Sequence, residues 1–450
     1  MPSAAARRAG PGGAAKPLRG RKGGSGKGAR SKSQPLEQRI LLTATLCLLA
    51  FGAVMVYSAS SATSLLQGQG NGSGYLVKYV IYGAIGLVLM RVLARDGVER
   101  MQTLTGPLLI VSFALVLLVH VPHIGVSVNG ARRWLGPGPF QFQPSELMKI
   151  ALVLYGATLL AKRPQRVEDL RELARPLLLV VGGAILLVVT QPDLGTAMVI
   201  AFITIAMLIA AGIPMRNLAI VCGCAFAAVV LYAIVKPYAR ARLTSFLDPW
   251  AHASSSGFQA VQGQIAIGSG GLFGVGPGES VQKIFYLPEA PTDFILAVIA
   301  EELGAAGVCA LLFLYGLIAY AGLRAARGAR SLQSALIAVG VTSLIVSQAL
   351  LNVFAVLGLA PLTGVPLPFV SYGSSSLIVM LAGMGLLMNV ATGGTAHVRA
   401  VSTPRRRSGD ARARESARWD RESEQADRDR GRRYGGARGA GARGGRRAAG

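Results

Sequence analysis

Along the chain, runs of about twenty apolar residues alternate with short polar segments, and a helix rising 1.5 Å per residue needs about that many to cross a hydrocarbon core. Ten stretches meet the requirement, near residues 39–60, 75–94, 104–122, 146–161, 175–190, 194–213, 216–236, 293–322, 333–358 and 374–393. The linkers at 190–194 and 213–216 are so short that either pair reads equally as one bent helix. The pattern predicts an all-α polytopic membrane protein of about ten transmembrane helices, with a large extracellular loop, residues 237–292, between spans seven and eight. Residues 1–38 and 394–450 flank the membrane domain, 39–393, as basic tails with almost nothing to form a core; both are expected to be disordered and cytoplasmic.

Orientation follows from lysine and arginine in the short loops. With the basic N-terminal tail inside, the segments RVLARDGVER, AKRPQRVEDLRELAR, the turn at Arg216, LRAARGAR and the Arg-rich C-terminal tail all fall on the cytoplasmic side. The outer segments are then the uncharged LLQGQGNGSG, the loop 123–145, the turn QPDLGT, the loop 237–292 and the loop 359–373. This even number of spans collects the polar motifs on the outer face. A site there would meet molecules of the outer leaflet, out of reach of cytoplasmic ATP, which favours an already activated, lipid-borne substrate.

Composition agrees with the pattern: 52% hydrophobic and 15% charged residues in a chain of 450 are too apolar for an ordinary soluble protein. The net charge of +25 could suggest nucleic acid, but the basic residues sit in the tails and inner loops, which points to anionic lipids and no nucleic acid. The 38 N-terminal residues carry no cleavable signal, and the first span is expected to stay as an anchor. Four cysteines, Cys47, Cys222, Cys224 and Cys309, lie inside apolar runs and suggest packing, not disulfides. The four histidines show no metal-ligand spacing, and no GxSxG elbow occurs.

The chemistry concentrates in a few motifs. In YLPEAPTDFILAVIAEELG, Thr292 reads as an N-cap and Asp293 as a first-turn carboxylate, held at the interface by Pro288 and Pro291 as a general base would be. Glu301 and Glu302 fall about 12–14 Å further along that helix and read as interior support through an ion pair. The stretch NGARRWLGPGPFQFQPSELMK offers Arg132, Arg133 and Trp134, then Ser145 as an N-cap, with Glu146 and Lys149 on one helical face. Snorkelling beside an interfacial tryptophan explains the arginines equally well, but arginine forks also match phosphate oxygens and would suit a pyrophosphate. Asp193 in QPDLGT reads as a turn or N-cap aspartate or as a site residue. In GFQAVQGQIAIGSGGLFGVGPG, glycines would let backbone approach a ligand, and Gln259 and Gln262 offer hydrogen bonds to sugar hydroxyls or amides.

Together, NGARRW, FQPSELMK, QPDLGT, RLTSFLDPW, GFQAVQ, GSGGLFGVGPGES, the Thr-Asp-Phe segment and GVPLPFVSYGSSS resemble, in order and over residues 39–393, the shape, elongation, division and sporulation (SEDS) family. The resemblance implies a ten-span peptidoglycan glycosyltransferase that polymerises lipid II and works with a class B penicillin-binding transpeptidase among other division proteins. It makes Asp293 the essential aspartate and implicates Arg132, Arg133, Trp134, Gln143, Ser145, Glu146, Lys149, Asp193 and Arg242. Two positions depart from the family pattern: Pro291 stands where many members have histidine, and Ser374 where most have glycine.

The implied mechanism is an inverting transfer in which Asp293 deprotonates the acceptor hydroxyl and undecaprenyl pyrophosphate leaves. Arg132, Arg133, Arg242 or Lys149 would stabilise its charge, with room for a divalent cation such as Mg or Mn but no certain cofactor. The rival reading is a lipid II flippase, which would need motifs reachable from both faces. Long charged tails lean towards the FtsW type, placed in the bacterial cytoplasmic membrane at the division septum, over the RodA type of elongation.

Overall fold

The computed structural model describes residues 35–66, 68, 72–128, 131–136, 141–162, 169, 172, 174–284 and 286–393. The tails, apart from residues 35–38, lie outside them, as do residues 163–168 and 137–140. In an apolar medium a backbone must satisfy its own N–H and C=O groups, so each long apolar run closes into a helix. Among the described residues eight stretches are long and apolar enough to span: Leu36–Leu66, Gly74–Arg95, Arg100–Leu118, Pro144–Lys162, Met215–Val235, Ile295–Arg327, Leu332–Val356 and Ser374–Ala391. Two shorter apolar helices, Pro176–Thr190 and Leu194–Ala210, occupy the remaining expected positions.

In chain order the helices are α1 Leu36–Leu66, α2 Gly74–Leu118, α3 Pro144–Lys162, α4 Leu179–Thr190, α5 Leu194–Ala210 and α6 Met215–Val235. They continue as α7 Pro237–Leu247, α8 Phe258–Gly270, α9 Ile295–Arg327, α10 Leu332–Val356 and α11 Ser374–Ala391. The expected spans at 75–94 and 104–122 are both present, as Gly74–Arg95 and Arg100–Leu118, and follow each other within the helical stretch α2 with no strand or extended loop between them. There Asn389 of α11 donates to the carbonyls of Ala94 and Arg95 at 3.1 and 2.8 Å.

The loops hold more structure than their composition suggested. Two short strands pair antiparallel, β1 Gly125–Val128 with β2 Ala131–Leu135, with a bulge between Val126 and Ser127. The supposed loop 237–292 carries α7, a short 3₁₀ turn Trp250–His252, and α8. Pro237 opens α7 at a position where its missing N–H costs nothing.

The core lies where α3, α5, α10 and α11 meet, around Val153, Ile200, Ile337 and Met384, all fully buried. By contrast α6 buries none of its residues, and its apolar surface is left for lipid. Cys47, Cys224 and Cys309 are exposed on helix surfaces and all four cysteines are unpaired.

The expected continuous helix at 293–322 is broken. Gly304 has φ 65° and ψ −165°, which interrupts α9 just after its glutamates. Into the break comes the segment after α8: Val275 and Gly276 donate to the carbonyls of Glu301 and Glu302 at 2.9 and 3.1 Å. In return, Ala305 and Ala306 donate to Gly271 and Leu272 at 3.0 and 3.1 Å. Two glycines here serve close approach to α9: a Cβ at Gly270 would lie 1.9 Å from the Ala300 carbonyl, and one at Gly274 2.1 Å from the Glu302 carbonyl. A Cβ at Gly304 would lie 2.4 Å from the Gly274 nitrogen. Gly304→Ala is expected to destabilise the protein by more than about 1 kcal/mol, whereas Gly316→Ala, with nothing within 4 Å, is expected to match wild type. Thermal unfolding of the detergent-solubilised protein checks both.

Candidate functional site

Three motifs far apart in sequence meet at one end of the bundle, around the extended segment 362–373. Asp193 sits at the N-cap of α5, where its Oδ1 accepts from the Thr196 N–H at 3.1 Å, the capping role that the turn allowed. Its Oδ2 accepts from Gln143 at 3.1 Å, and the Arg133 guanidinium approaches at 3.9 Å. Arg133 also donates to the Gln191 carbonyl at 3.1 Å and to the Pro192 carbonyl. Gln143 is tied to α11 by its N–H, which donates to Ser375 Oγ at 3.1 Å.

Strand alternation decides what the two adjacent arginines do. Arg133 turns into this cluster, while Arg132 is on the other face and exposed, with Trp134 part-buried. The expected twin fork is therefore split, and the groups of Arg133 are committed to backbone carbonyls.

Ser145 is not the N-cap of α3, since the helix begins at Pro144; its buried hydroxyl has no partner. Lys149 is 1% exposed and donates to Glu146 Oε1 at 2.8 Å and Gln348 Oε1 at 2.9 Å. Glu146 Oε2 is left buried without a partner.

Asp293 is part-buried in a turn one residue before Phe294, the N-cap of α9, so it precedes the first helical turn and Thr292 does not cap the helix. The Thr292 hydroxyl lies 3.1 Å from Asp293 Oδ1 and 2.9 Å from Glu289 Oε2. Burial first, then the neighbouring Glu289 carboxylate, pushes the Asp293 pKa up to about 6, against the opposing pull of its backbone and Thr292 hydrogen bonds and of Arg242. A carboxylate poised there accepts a proton readily near neutral pH.

The segment 362–373 is held to this turn through its backbone. Asn352 of α10 donates to the carbonyls of both Asp293 and Val365, at 2.7 and 2.8 Å. The Tyr372 N–H donates to the Pro291 carbonyl at 2.9 Å, and Gln348 to the Pro366 carbonyl at 3.2 Å. Arg242 donates to the Leu362 carbonyl at 2.8 Å. Gly364 faces the carboxyl so closely that a Cβ there would lie 3.7 Å from Asp293 Oδ2. On its other side the segment packs on α5, where a Cβ at Gly195 would be 2.7 Å from the Thr363 carbonyl.

A shallow cleft, too small to enclose a ligand, is lined by Arg242, Ser245, Phe246, Gln264, Gly358 and Leu362. Gln259 donates to the Pro288 carbonyl at 3.3 Å, behind the Asp293 turn, and Gln262 is part-buried on α8. Sequence reasoning missed Asn352, Gln348 and Gly364. Gln348 and Asn352 stand four apart in an otherwise apolar span, which was the signal available.

Glu301 and Glu302 are structural. Glu301 accepts from Ser280 Oγ at 2.5 Å and from the Val281 N–H at 3.0 Å. Glu302 pairs with buried Lys283 at 2.8 Å and accepts from Ser58 at 2.6 Å. Among the described residues no three His, Cys, Asp or Glu side chains gather, so the donor set does not fit a dedicated divalent-cation site.

Apolar helices around a polar, one-ended site define a multi-pass helical membrane protein. The cell cycle protein family of FtsW, RodA and SpoVE matches residues 38–395, and the chain belongs to that family. It is 41% identical over 358 residues to a probable peptidoglycan glycosyltransferase FtsW of Coxiella burnetii, covering 78% of this chain and 95% of that one. It is 38% identical over 351 residues to stage V sporulation protein E of Bacillus subtilis, covering 78% and 96%. Among solved structures, a chain from a peptidoglycan synthase complex that coordinates polymerization and crosslinking superposes with a TM-score of 0.64 at 33% identity, covering 78% and 96%.

Asp193→Ala removes a cap and the partner of two side chains, and is expected to lower stability by about 1–2 kcal/mol. Asp193→Asn keeps the capping oxygen and is expected to lose less than half as much. Thermal unfolding of the two variants side by side checks the difference.

Proposed function

We propose that this protein is a peptidoglycan glycosyltransferase that polymerises lipid II at the outer face of the bacterial cytoplasmic membrane. The observation that carries the reading is the Asp293 carboxyl, its pKa raised to about 6, set between the Gly364 backbone and Arg242. Asp293 takes the proton of the acceptor's N-acetylglucosamine 4-hydroxyl, and that oxygen attacks the anomeric carbon of the donor's N-acetylmuramic acid from the face opposite the leaving group. The C–O bond to the pyrophosphate breaks and undecaprenyl pyrophosphate departs with the electron pair.

Leaving-group stabilisation falls to Arg242 at the cleft, to exposed Arg132, and to helix N-termini. The starts of α3, α5, α9 and α11 gather at this end, and each brings the positive end of a helix dipole towards an anion. Arg133, Gln143 and Asp193 shape the wall, with Trp134, Ser145 and Glu146 behind it. The buried Lys149 acts through Glu146 and Gln348, while Gln259 and Gln262 support the Asp293 turn from α8.

A site at one end of the bundle supports polymerisation over flipping, which needs access from both faces. We place both termini in the cytoplasm, from the basic inner loops, and a class B transpeptidase beside the chain, since a similar chain was solved in a complex that couples polymerization to crosslinking. The long basic tails favour septal synthesis and contact with anionic lipids.

Purified protein incubated with lipid II, with and without a class B transpeptidase, is expected to yield glycan polymer on a gel, and Asp293→Asn none. Polymer from the mutant, or Asp293-dependent translocation of lipid II in liposomes without polymer, overturns the reading. Because the carboxylate is the active form, the rate is expected to be flat above the Asp293 pKa of about 6. Below it the rate is expected to fall about tenfold per pH unit, read from initial rates across buffers.

A further inference from the structure

The segment 362–373 meets Asp293 through its backbone, so whatever fixes that backbone sets the site. At its centre Phe369 is buried with φ 64°, a left-handed conformation that a bulky residue adopts only at a cost. Two tyrosine hydroxyls from different helices flank it. Tyr79 of α2 donates to the Phe369 carbonyl at 2.5 Å and lies 3.2 Å from the Leu49 carbonyl. Tyr315 of α9 donates to the Pro368 carbonyl at 2.5 Å. Both rings are buried, where a phenol must find an acceptor. Only glycine fits at position 52 of α1, because a Cβ there would lie 2.4 Å from the Tyr79 hydroxyl and 2.9 Å from the Phe369 carbonyl.

We propose that Tyr79 and Tyr315 are positioning residues that clamp the Pro368–Phe369 turn and thereby hold Gly364 and Val365 against Asp293. The contacts run without a gap. Ser371 closes the turn, its Oγ accepting from the Leu367 N–H at 2.9 Å and its N–H donating to the Leu367 carbonyl at 3.0 Å. On one flank the turn leads to Tyr372, bonded to Pro291; on the other to Val365, whose carbonyl shares Asn352 with that of Asp293. A displaced turn moves both flanks of the Asp293 loop.

The charged groups facing Asp293 are Glu289 of its own turn and Arg242 of α7, while α10 offers the neutral Asn352. None belongs to the clamp. Loosening the segment would admit water to Asp293, and since burial is the main force raising its pKa, the pKa falls. The clamp's role in catalysis rests on the glycosyltransferase reading; its effect on Asp293 does not.

The test uses full-length solubilised protein carrying Tyr79→Phe, Tyr315→Phe or Gly52→Ala, with Gly316→Ala as the control in open space. Lipid II turnover is measured against pH, and Asp293 protonation by infrared spectroscopy with Asp293→Asn as the blank. Each of the three variants is expected to lose on the order of 10-fold to 100-fold in kcat, with KM changed by less than about twofold. The Asp293 midpoint is expected to move from about 6 towards the ordinary value of about 4. Variants that melt earlier yet keep the wild-type kcat and midpoint overturn the clamp and leave the tyrosines as packing. Should a tyrosine variant not fold, Gly52→Ala makes the same displacement with both hydroxyls in place. Should wild type make no polymer, the glycosyltransferase reading fails, and an unmoved infrared midpoint still overturns the clamp.

Discussion

A single carboxamide joins the two halves of the site: Asn352 donates to the carbonyls of both Asp293 and Val365. The interaction matters because irregular backbone at the end of an apolar bundle has few waters and no helix ladder to satisfy it. Several such stretches here are met by a side chain from elsewhere. Gln348 serves Pro366, Arg242 serves Leu362, and Arg133 serves Gln191 and Pro192. The polar residues of the bundle are thus mostly spent on holding backbone in place. Among the described residues, Asp293 stands apart from this pattern: its carboxyl serves no distant backbone and lies beside Thr292 and Gly364.

That division of labour explains which parts of the site were legible in the sequence. Asp293 stood out because a carboxylate at the head of a long apolar run has few reasons to be there, and the spans were visible because the membrane demands apolar length. Arg133 was visible as a cation, but not as one engaged by carbonyls of the Gln191–Pro192 turn, because that pairing joins positions remote in the chain. Lys149 likewise announced a charge without announcing that Glu146 and Gln348 enclose it.

The irregular elements were the hardest to foresee. The paired strands β1 and β2 are too short to leave a reliable alternation, and α7 and α8 lie in sequence that a membrane-scale window reads simply as loop. The break in α9 was hidden for another reason. Gly304 is one of several glycines in apolar helices, and only the backbone of residues 270–276, folded against it, makes its left-handed geometry necessary.

That break divides α9 into two arms, a long one and a stub, joined at one elbow. The long arm after Gly304 is a membrane rod. The stub Ile295–Leu303, which carries the Asp293 turn at its head, is tethered to the segment after α8 by backbone bonds and by Glu301 and Glu302 with their partners at residues 280–283. Ala305 and Ala306, the first residues of the rod, are bonded to Gly271 and Leu272 of that same segment, so the break is an elbow pinned on both sides, and the position of the Asp293 turn is set by residues 271–283 rather than by the length of the rod.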